Sequence, residues 1–188
     1  MTKQNFIKKS PQTNKFIYLL KSPYGLLVAQ GDRISFYEKR SSTNEYKYHM
    51  LLVESQIMSC HYEPNTKHIL ISSRPSEKHP NMRQLVYELD KSMDTNELRL
   101  NQITLFKGSN EQKFLARSKL FSLNTELFGC SSCEKNKCVQ VWNVSSGNQC
   151  AKLMTNGAVI DVLPIKYRND TYVCSLTEKQ LKIFRLRV

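Results

Sequence analysis

Residues 126–147, ELFGCSSCEKNKCVQVWNVSSG, contain two short apolar runs separated by a polar segment. The runs at 127–130 and 139–142 have the length of β-strands, and Glu134-Lys135-Asn136 between them consists of turn-forming residue types. The second run ends in the aromatic residue Trp142, which follows an aliphatic residue. This stretch therefore predicts a β-hairpin whose second strand ends in Trp142.

The same hairpin pattern occurs four times along the chain. The second strands end at Tyr37, Tyr87, Trp142 and Phe184, with spacings of 50, 55 and 42 residues. A repeat of about 40 to 45 residues, lengthened by loops, is typical of WD40 β-propeller blades. We interpret the four aromatic residues as anchors in the blade cores, because large aromatic side chains are mostly buried.

The predicted fold class is all-β, a WD40-type β-propeller of about four blades that forms a partial ring. Blades are predicted at about 15–54, 55–108, 112–156 and 157–188, and residues 1–14 are predicted to form a basic N-terminal tail or a closing strand. An inner strand precedes each hairpin, whereas an outer strand follows only the first three hairpins. Because closed propellers have about four to eight blades, we expect a piece of a larger ring or a shortened paralogue that pairs with a partner.

A β-sandwich with irregular Greek-key loops is the alternative fold, because short strands at this spacing also fit it. The Gly-His and Trp-Asp dipeptides of strong WD40 repeats are absent, and VWNVSSG at 141–147 comes nearest to that signature. The repeated hairpin favours the propeller over the sandwich.

Composition and charge narrow the classes of function. The 28 Lys and Arg residues against 16 Asp and Glu residues leave a net charge of +12, which attracts acidic protein segments or nucleic acid. No block of five basic residues occurs, and aromatic residues do not alternate with basic ones in a stacking pattern. The absence of a secretion signal and of an apolar run of about 18 residues argues against secretion and membrane insertion.

The six cysteines are scattered through strand-like segments, which predicts reduced thiols in the nucleus or cytosol. Cys130-x-x-Cys133 with Cys138 has a spacing found in zinc sites, but no fourth ligand lies nearby in the sequence. Structural thiols are the favoured interpretation. The sequence therefore predicts no metal ligand and no cofactor.

No catalytic residues can be assigned from the sequence. The histidines do not have the HExxH spacing, and the glycines form neither GxGxxG nor a P-loop. Cys60-His61 with Asp161 or Glu63 resembles a nucleophile, a base and an orienting acid, but a chain of this size contains such triples by chance.

The segment Arg74-Pro75-Ser76-Glu77-Lys78-His79-Pro80 is the candidate binding loop. Loops at one end of a propeller bind partners while the strands act as a scaffold. Arg74, Lys78 and His79 between two prolines are therefore a candidate recognition patch for carboxylates. A solvated connector that only carries charge is an equally good interpretation.

Several segments in order resemble the RING finger and WD repeat domain protein 3 family of E3 ubiquitin ligases. The resemblance is carried by residues 22–25, 35–38, 68–71, 114–121, 141–147, 159–164, 168–172 and 175–179. No single motif is diagnostic, but the ordered set is specific and spans most of the chain.

This resemblance implies a seven-bladed type of propeller, a nuclear location and a role in ubiquitin signalling at damaged or stalled replication forks. Family members recognise replication protein A through this domain. A RING needs eight Cys and His ligands in paired spacings, and that framework is absent from these residues. The resemblance therefore does not imply ligase activity for these 188 residues. Whether the chain belongs to an enzyme is left open by the sequence.

Three functions remain to be separated. The favoured one is a substrate-recognition or scaffold module that binds proteins. The second is a nucleic-acid-binding β-propeller without a role in ubiquitination, which would use the net charge of +12. The third is a ligase subunit that becomes active only when a RING partner or an upstream segment is joined to it.

Overall fold

The structure is a computed structural model that describes residues 17–22, 24–39, 46–53, 55–92, 97–108, 117–133 and 135–187. The predicted tail at 1–14 lies outside the described residues. Within them the chain forms fifteen strands and no helix. These described residues therefore contain no helix that is long and apolar enough to cross a membrane.

The strands form four separate antiparallel sheets in chain order. The first sheet contains β1 (Ile17–Ser22), β2 (Gly25–Gln30), β3 (Arg33–Lys39) and β4 (Tyr46–Leu52). The second contains β5 (Ile57–Glu63), β6 (His68–Ser73), β7 (Arg83–Lys91) and β8 (Leu98–Leu105). The third contains β9 (Ser118–Leu123), β10 (Glu126–Cys133), β11 (Cys138–Asn143) and β12 (Gln149–Met154), and the fourth contains β13 (Val159–Tyr167), β14 (Asp170–Thr177) and β15 (Leu181–Leu186).

Local turn chemistry sets the register of the hairpins. Asn124 and Thr125 connect β9 to β10 with φ values of 49° and 74°, as a two-residue type I′ turn requires. Leu123 and Glu126 then lie opposite each other, and the pairing continues to Ser118 with Ser131. Because side chains alternate along a strand, this register decides which residues face each neighbouring sheet.

Three apolar clusters join the sheets in sequence. One lies between the first and second sheets and includes Phe36 and Ile69, and the next lies between the second and third sheets and includes Phe106. The last lies between the third and fourth sheets and includes Val141 and Val173. Four sheets that pack side by side in this way form a four-blade β-propeller arrangement. The predicted fold class is confirmed, and the two-sheet sandwich is excluded.

A buried polar network crosses the interface between the second and third sheets. The hydroxyls of Ser72 and Ser118 lie 2.7 Å apart, and Ser118 Oγ donates to Ser131 Oγ at 3.1 Å. Gln84 Nε2 donates to the same Ser131 Oγ at 2.7 Å. Because unpaired buried polar groups are costly, these bonds favour one relative placement of the two sheets.

The four predicted aromatic anchors differ in their surroundings. Trp142 is fully buried, and its ring stacks on Phe106 with centroids 5.1 Å apart. Tyr87 is half-buried and packs against the cluster between the first two sheets. Tyr37 and Phe184 are also half-buried. Tyr37 lies against Tyr48, outside the described apolar clusters, so its surroundings differ from the predicted core position.

The two ends of the arc present apolar sheet faces. We name the outer face of the first sheet the first open face and the outer face of the fourth sheet the last open face. The first open face exposes Ile17, Leu19, Leu26, Tyr48 and Met50, and the last open face exposes Leu163, Ile165, Leu176, Leu181 and Ile183. No apolar cluster of the described residues joins the first and fourth sheets.

Gly129→Ala is expected to lower the free energy of unfolding by about 1–3 kcal/mol, because it overfills the core. Gly129 lies opposite Trp142 in the β10–β11 pair, and a Cβ atom there would overlap the ring of Phe106. Urea denaturation followed by circular dichroism measures the change.

Gly157→Ala is the matched control, because its added Cβ meets Thr177 at an ordinary distance of 3.7 Å. We expect this control to change stability by no more than about 0.5 kcal/mol. Equal denaturation midpoints for the two variants would show that the ring of Phe106 does not restrict the size of the side chain at position 129.

Candidate protein-interaction site

The candidate binding loop, residues 74–80, is held in a defined turn between β6 and β7. The backbone N–H of Ser76 donates to His79 O at 2.7 Å, and the N–H of His79 donates to Ser76 O at 3.1 Å. Ser55 Oγ also donates to Ser76 Oγ at 3.3 Å. The loop is therefore anchored to the connector that precedes β5, at one end of the propeller.

Arg74 carries the exposed guanidinium group of the loop. Its backbone N–H donates to Gln56 O at 2.8 Å, which fixes the start of the loop. Its side chain is exposed, and Nη1 donates to Gln56 Oε1 at 3.3 Å. Since a guanidinium has five N–H donors, the others are available to a carboxylate from a partner.

The three basic residues predicted to form one recognition patch lie in two different environments. Lys78 is exposed on the loop together with Arg74, whereas His79 is half-buried. His79 lines an open cavity of about 240 Å³ with Arg83, Lys107 and apolar residues that include Phe106. Arg83 and Lys107 were not identified from the sequence. Arg83 follows the loop closely in the chain, whereas Lys107 is brought near it because β8 pairs with β7 and the Phe106 N–H donates to Gln84 O at 3.0 Å.

The cysteines are free thiols, and all of them except Cys150 are buried. Burial raises the pKa of the Cys60 and Cys130 thiols to about 12, so both are uncharged near neutral pH. Cys133 lies opposite Cys138 in the β10–β11 hairpin. In the part of the chain that the structure describes, no group of three or more Cys, His, Asp and Glu side chains is placed to hold a metal ion.

Cys60 and His61 do not form a catalytic pair. They are neighbours in β5, so their side chains point to opposite faces of the sheet. Cys60 belongs to the cluster between the first two sheets, whereas His61 Nδ1 accepts the N–H of Leu120 from the third sheet at 3.0 Å. Burial, with a smaller contribution from Lys119, lowers the pKa of His61 to about 4.

Curated relatives resemble most of the chain at low identity. The E3 ubiquitin-protein ligase RFWD3 of Mus musculus is 26% identical over 171 residues, and that of Homo sapiens is 22% identical over 170 residues. Each match covers 87% of this chain and 22% of the relative. The chain therefore spans about a fifth of the length of these relatives.

Solved structures with little sequence similarity share the fold. The Myceliophteria thermophila Cps50 (Swd1) beta-propeller domain matches with a TM-score of 0.61 and 13% identity, covering 90% of this chain and 52% of that one. Saccharomyces cerevisiae Sqt1 matches with a TM-score of 0.53 and 16% identity, covering 86% of this chain and 42% of that one.

The family model described as the E3 ubiquitin-protein ligase RFWD3 WD40 domain matches residues 10–185. This match extends over nearly the whole chain. It shows that the protein belongs to the RFWD3 WD40 domain family.

Proposed function

We propose that the chain is a protein-interaction module of a ubiquitin-ligase system that acts in the nuclear response to DNA damage and replication stress. The observation that carries the proposal is the family match over residues 10–185. The curated relatives are named as E3 ubiquitin-protein ligases, and this chain corresponds to 22% of their length. In this role the chain recognises a substrate or acts as a scaffold, and ubiquitin transfer takes place elsewhere.

The candidate binding loop supports this proposal. Its turn is held by its own hydrogen bonds, so little conformational entropy is lost when a partner binds. Arg74 and Lys78 present positive charge there, and the net charge of +12 raises association rates with acidic segments. Replication protein A, the partner implied by the family resemblance, is the first partner to test.

Arg74→Ala is expected to weaken binding of an acidic replication protein A segment by roughly 1.5–3 kcal/mol, because it removes a bidentate donor to a carboxylate. Lys78→Ala is expected to cost under about 1 kcal/mol, because an exposed ammonium makes a weaker, undirected contact. Isothermal titration calorimetry with each variant measures the two changes.

The melting temperature of each variant is the control for this experiment. Arg74 is exposed and its side chain contacts Gln56 at the surface, so its loss should leave the melting temperature nearly unchanged. If Arg74→Ala lowers the melt strongly while the affinity per folded molecule stays the same, Arg74 has a structural role. If the intact chain does not bind replication protein A, that partner is wrong.

A nucleic-acid-binding propeller is the second candidate, favoured by the net charge of +12. Phosphate contacts release counterions, so such binding falls steeply as salt rises. Titration with single-stranded DNA at two salt concentrations separates the candidates. Micromolar binding with a steep salt dependence would favour nucleic acid, whereas weak binding would favour the protein partner.

A further inference from the structure

A second cavity lies at the opposite end of the propeller from the candidate binding loop. β5 runs toward the turn at 64–67, whereas β6 returns to the candidate binding loop, so the two sites are at opposite ends of the sheets. The cavity has a volume of about 340 Å³ and is lined mainly by residues of β5, β9 and β13, together with Asn65 and Thr171. We name it the inner-strand cavity.

His61 supplies a neutral hydrogen-bond donor to the inner-strand cavity. Its Nδ1 accepts the backbone N–H of Leu120 at 3.0 Å, which leaves the proton of the neutral ring on Nε2. Because the pKa of His61 is lowered to about 4, the ring stays neutral near pH 7. The side chain is therefore held in one orientation as an N–H donor.

Two lysines give the lining of the inner-strand cavity a net positive charge. Lys119 and Lys166 both line it, and within the described ranges neither ammonium forms a hydrogen bond or an ion pair. Glu63 is the acidic residue of the lining, and its Oε1 accepts from Asn65 Nδ2 at 3.0 Å. Two cations therefore lie beside one carboxylate that already has a partner.

Apolar side chains lie at the edge of the cavity. Leu163 and Ile165 of β13 line it from the last open face, on the other side of the strand from Lys166, and remain 54% and 40% exposed. Phe121, the aromatic residue of the lining, is buried and packs on Phe128. The cavity thus combines cations with exposed aliphatic surface, and it offers no exposed aromatic face on which a base would stack.

We propose that the inner-strand cavity binds a short protein segment in which an Asp or Glu carboxylate lies next to an aliphatic side chain. Lys119 and Lys166 pair with the carboxylate, and His61 Nε2 is an additional donor to the same segment. Leu163 and Ile165 receive the aliphatic group. This inference rests on the proposed protein-binding function and assigns a second binding site at the other end of the propeller.

The test selects binding segments from a random peptide library displayed on phage, using the full chain as bait. Selected peptides should contain an Asp or Glu adjacent to Leu, Ile or Val. Labelled synthetic copies are then measured by fluorescence anisotropy against the wild type and a Lys119→Gln/Lys166→Gln variant. We expect about tenfold or more weaker binding by the variant, because charge-assisted bonds to the carboxylate are lost.

A matched control carries Lys135→Gln and Lys152→Gln. Both lysines are exposed and lie outside the inner-strand cavity, and the net charge falls by the same amount as in the test variant. Changing the acidic residue of the peptide to its amide should weaken binding to the wild type and the control, with little further effect on the test variant. Circular dichroism verifies folding, and the single Lys166→Gln change at an exposed position replaces the double variant if that unfolds.

Equal affinity of the wild type and the Lys119→Gln/Lys166→Gln variant would overturn the inference, as would an equal loss in the control. If binding instead falls with Arg74→Ala, the inner-strand cavity is wrong while the proposed protein-binding function stands. If no peptide is selected and the chain binds a thymidine oligonucleotide with a steep salt dependence, both are wrong.

Discussion

Trp142→Ala is expected to lower the free energy of unfolding by about 3–5 kcal/mol, because it empties the space of a fully buried aromatic side chain. The ring stacks on Phe106 with an interplanar angle of 5°, and Nε1 donates to Lys107 O at 2.9 Å. The substitution therefore removes both an apolar contact between two sheets and a hydrogen bond. Against a typical stability of about 5–15 kcal/mol, a large part of the fold's stability would be lost.

Denaturation of Trp142→Ala is followed by circular dichroism, because Trp142 is the only tryptophan and its fluorescence disappears with it. Trp142→Phe keeps the ring stack and removes the hydrogen bond, so we expect a smaller loss of about 1–2 kcal/mol. Tyr37→Ala is the matched control on the first open face and should cost about 1 kcal/mol. Equal losses for Trp142→Ala and Tyr37→Ala would contradict the structure at this interface.

The purified chain is expected to self-associate through the first and last open faces. Leu19 is 67% exposed on the first face, and Leu181 and Ile183 are 63% and 62% exposed on the last. The three apolar clusters inside the chain bury sheet faces of the same kind, so association of these exposed faces is favourable. Sedimentation velocity should show mass rising with concentration.

Leu181→Glu with Ile183→Glu should shift this equilibrium toward the monomer. Burying one aliphatic side chain contributes about 1.5–3 kcal/mol, so losing two weakens association by roughly a hundredfold to ten-thousandfold. The control with Lys135→Gln and Lys152→Gln lowers the net charge equally and should associate like the wild type. A wild-type chain that stays monomeric at every concentration, with a cooperative melt, would show that the exposed faces do not drive association.

The strands and hairpins follow from local properties that the sequence displays. The runs at 127–130 and 139–142 lie within β10 and β11, because alternating apolar residues and turn-forming residues act over a few positions. The repeat of these hairpins favoured the propeller over the sandwich, and the packing of four separate sheets then excluded the sandwich. The ordered segments shared with the relatives also gave the family, which the match over 10–185 shows.

The sequence by itself therefore determined the all-β class, the hairpin repeat and the family, whereas only the tertiary structure decided which residues form sites. Trp142 and Tyr37 occupy the same place in the repeat, yet one is buried between two sheets and the other lies on an open face. His61, Lys119 and Lys166 come from three strands and meet at one cavity. Hairpins form from neighbouring residues, but burial and side-chain grouping depend on how sheets distant in sequence pack, and no local pattern encodes that packing.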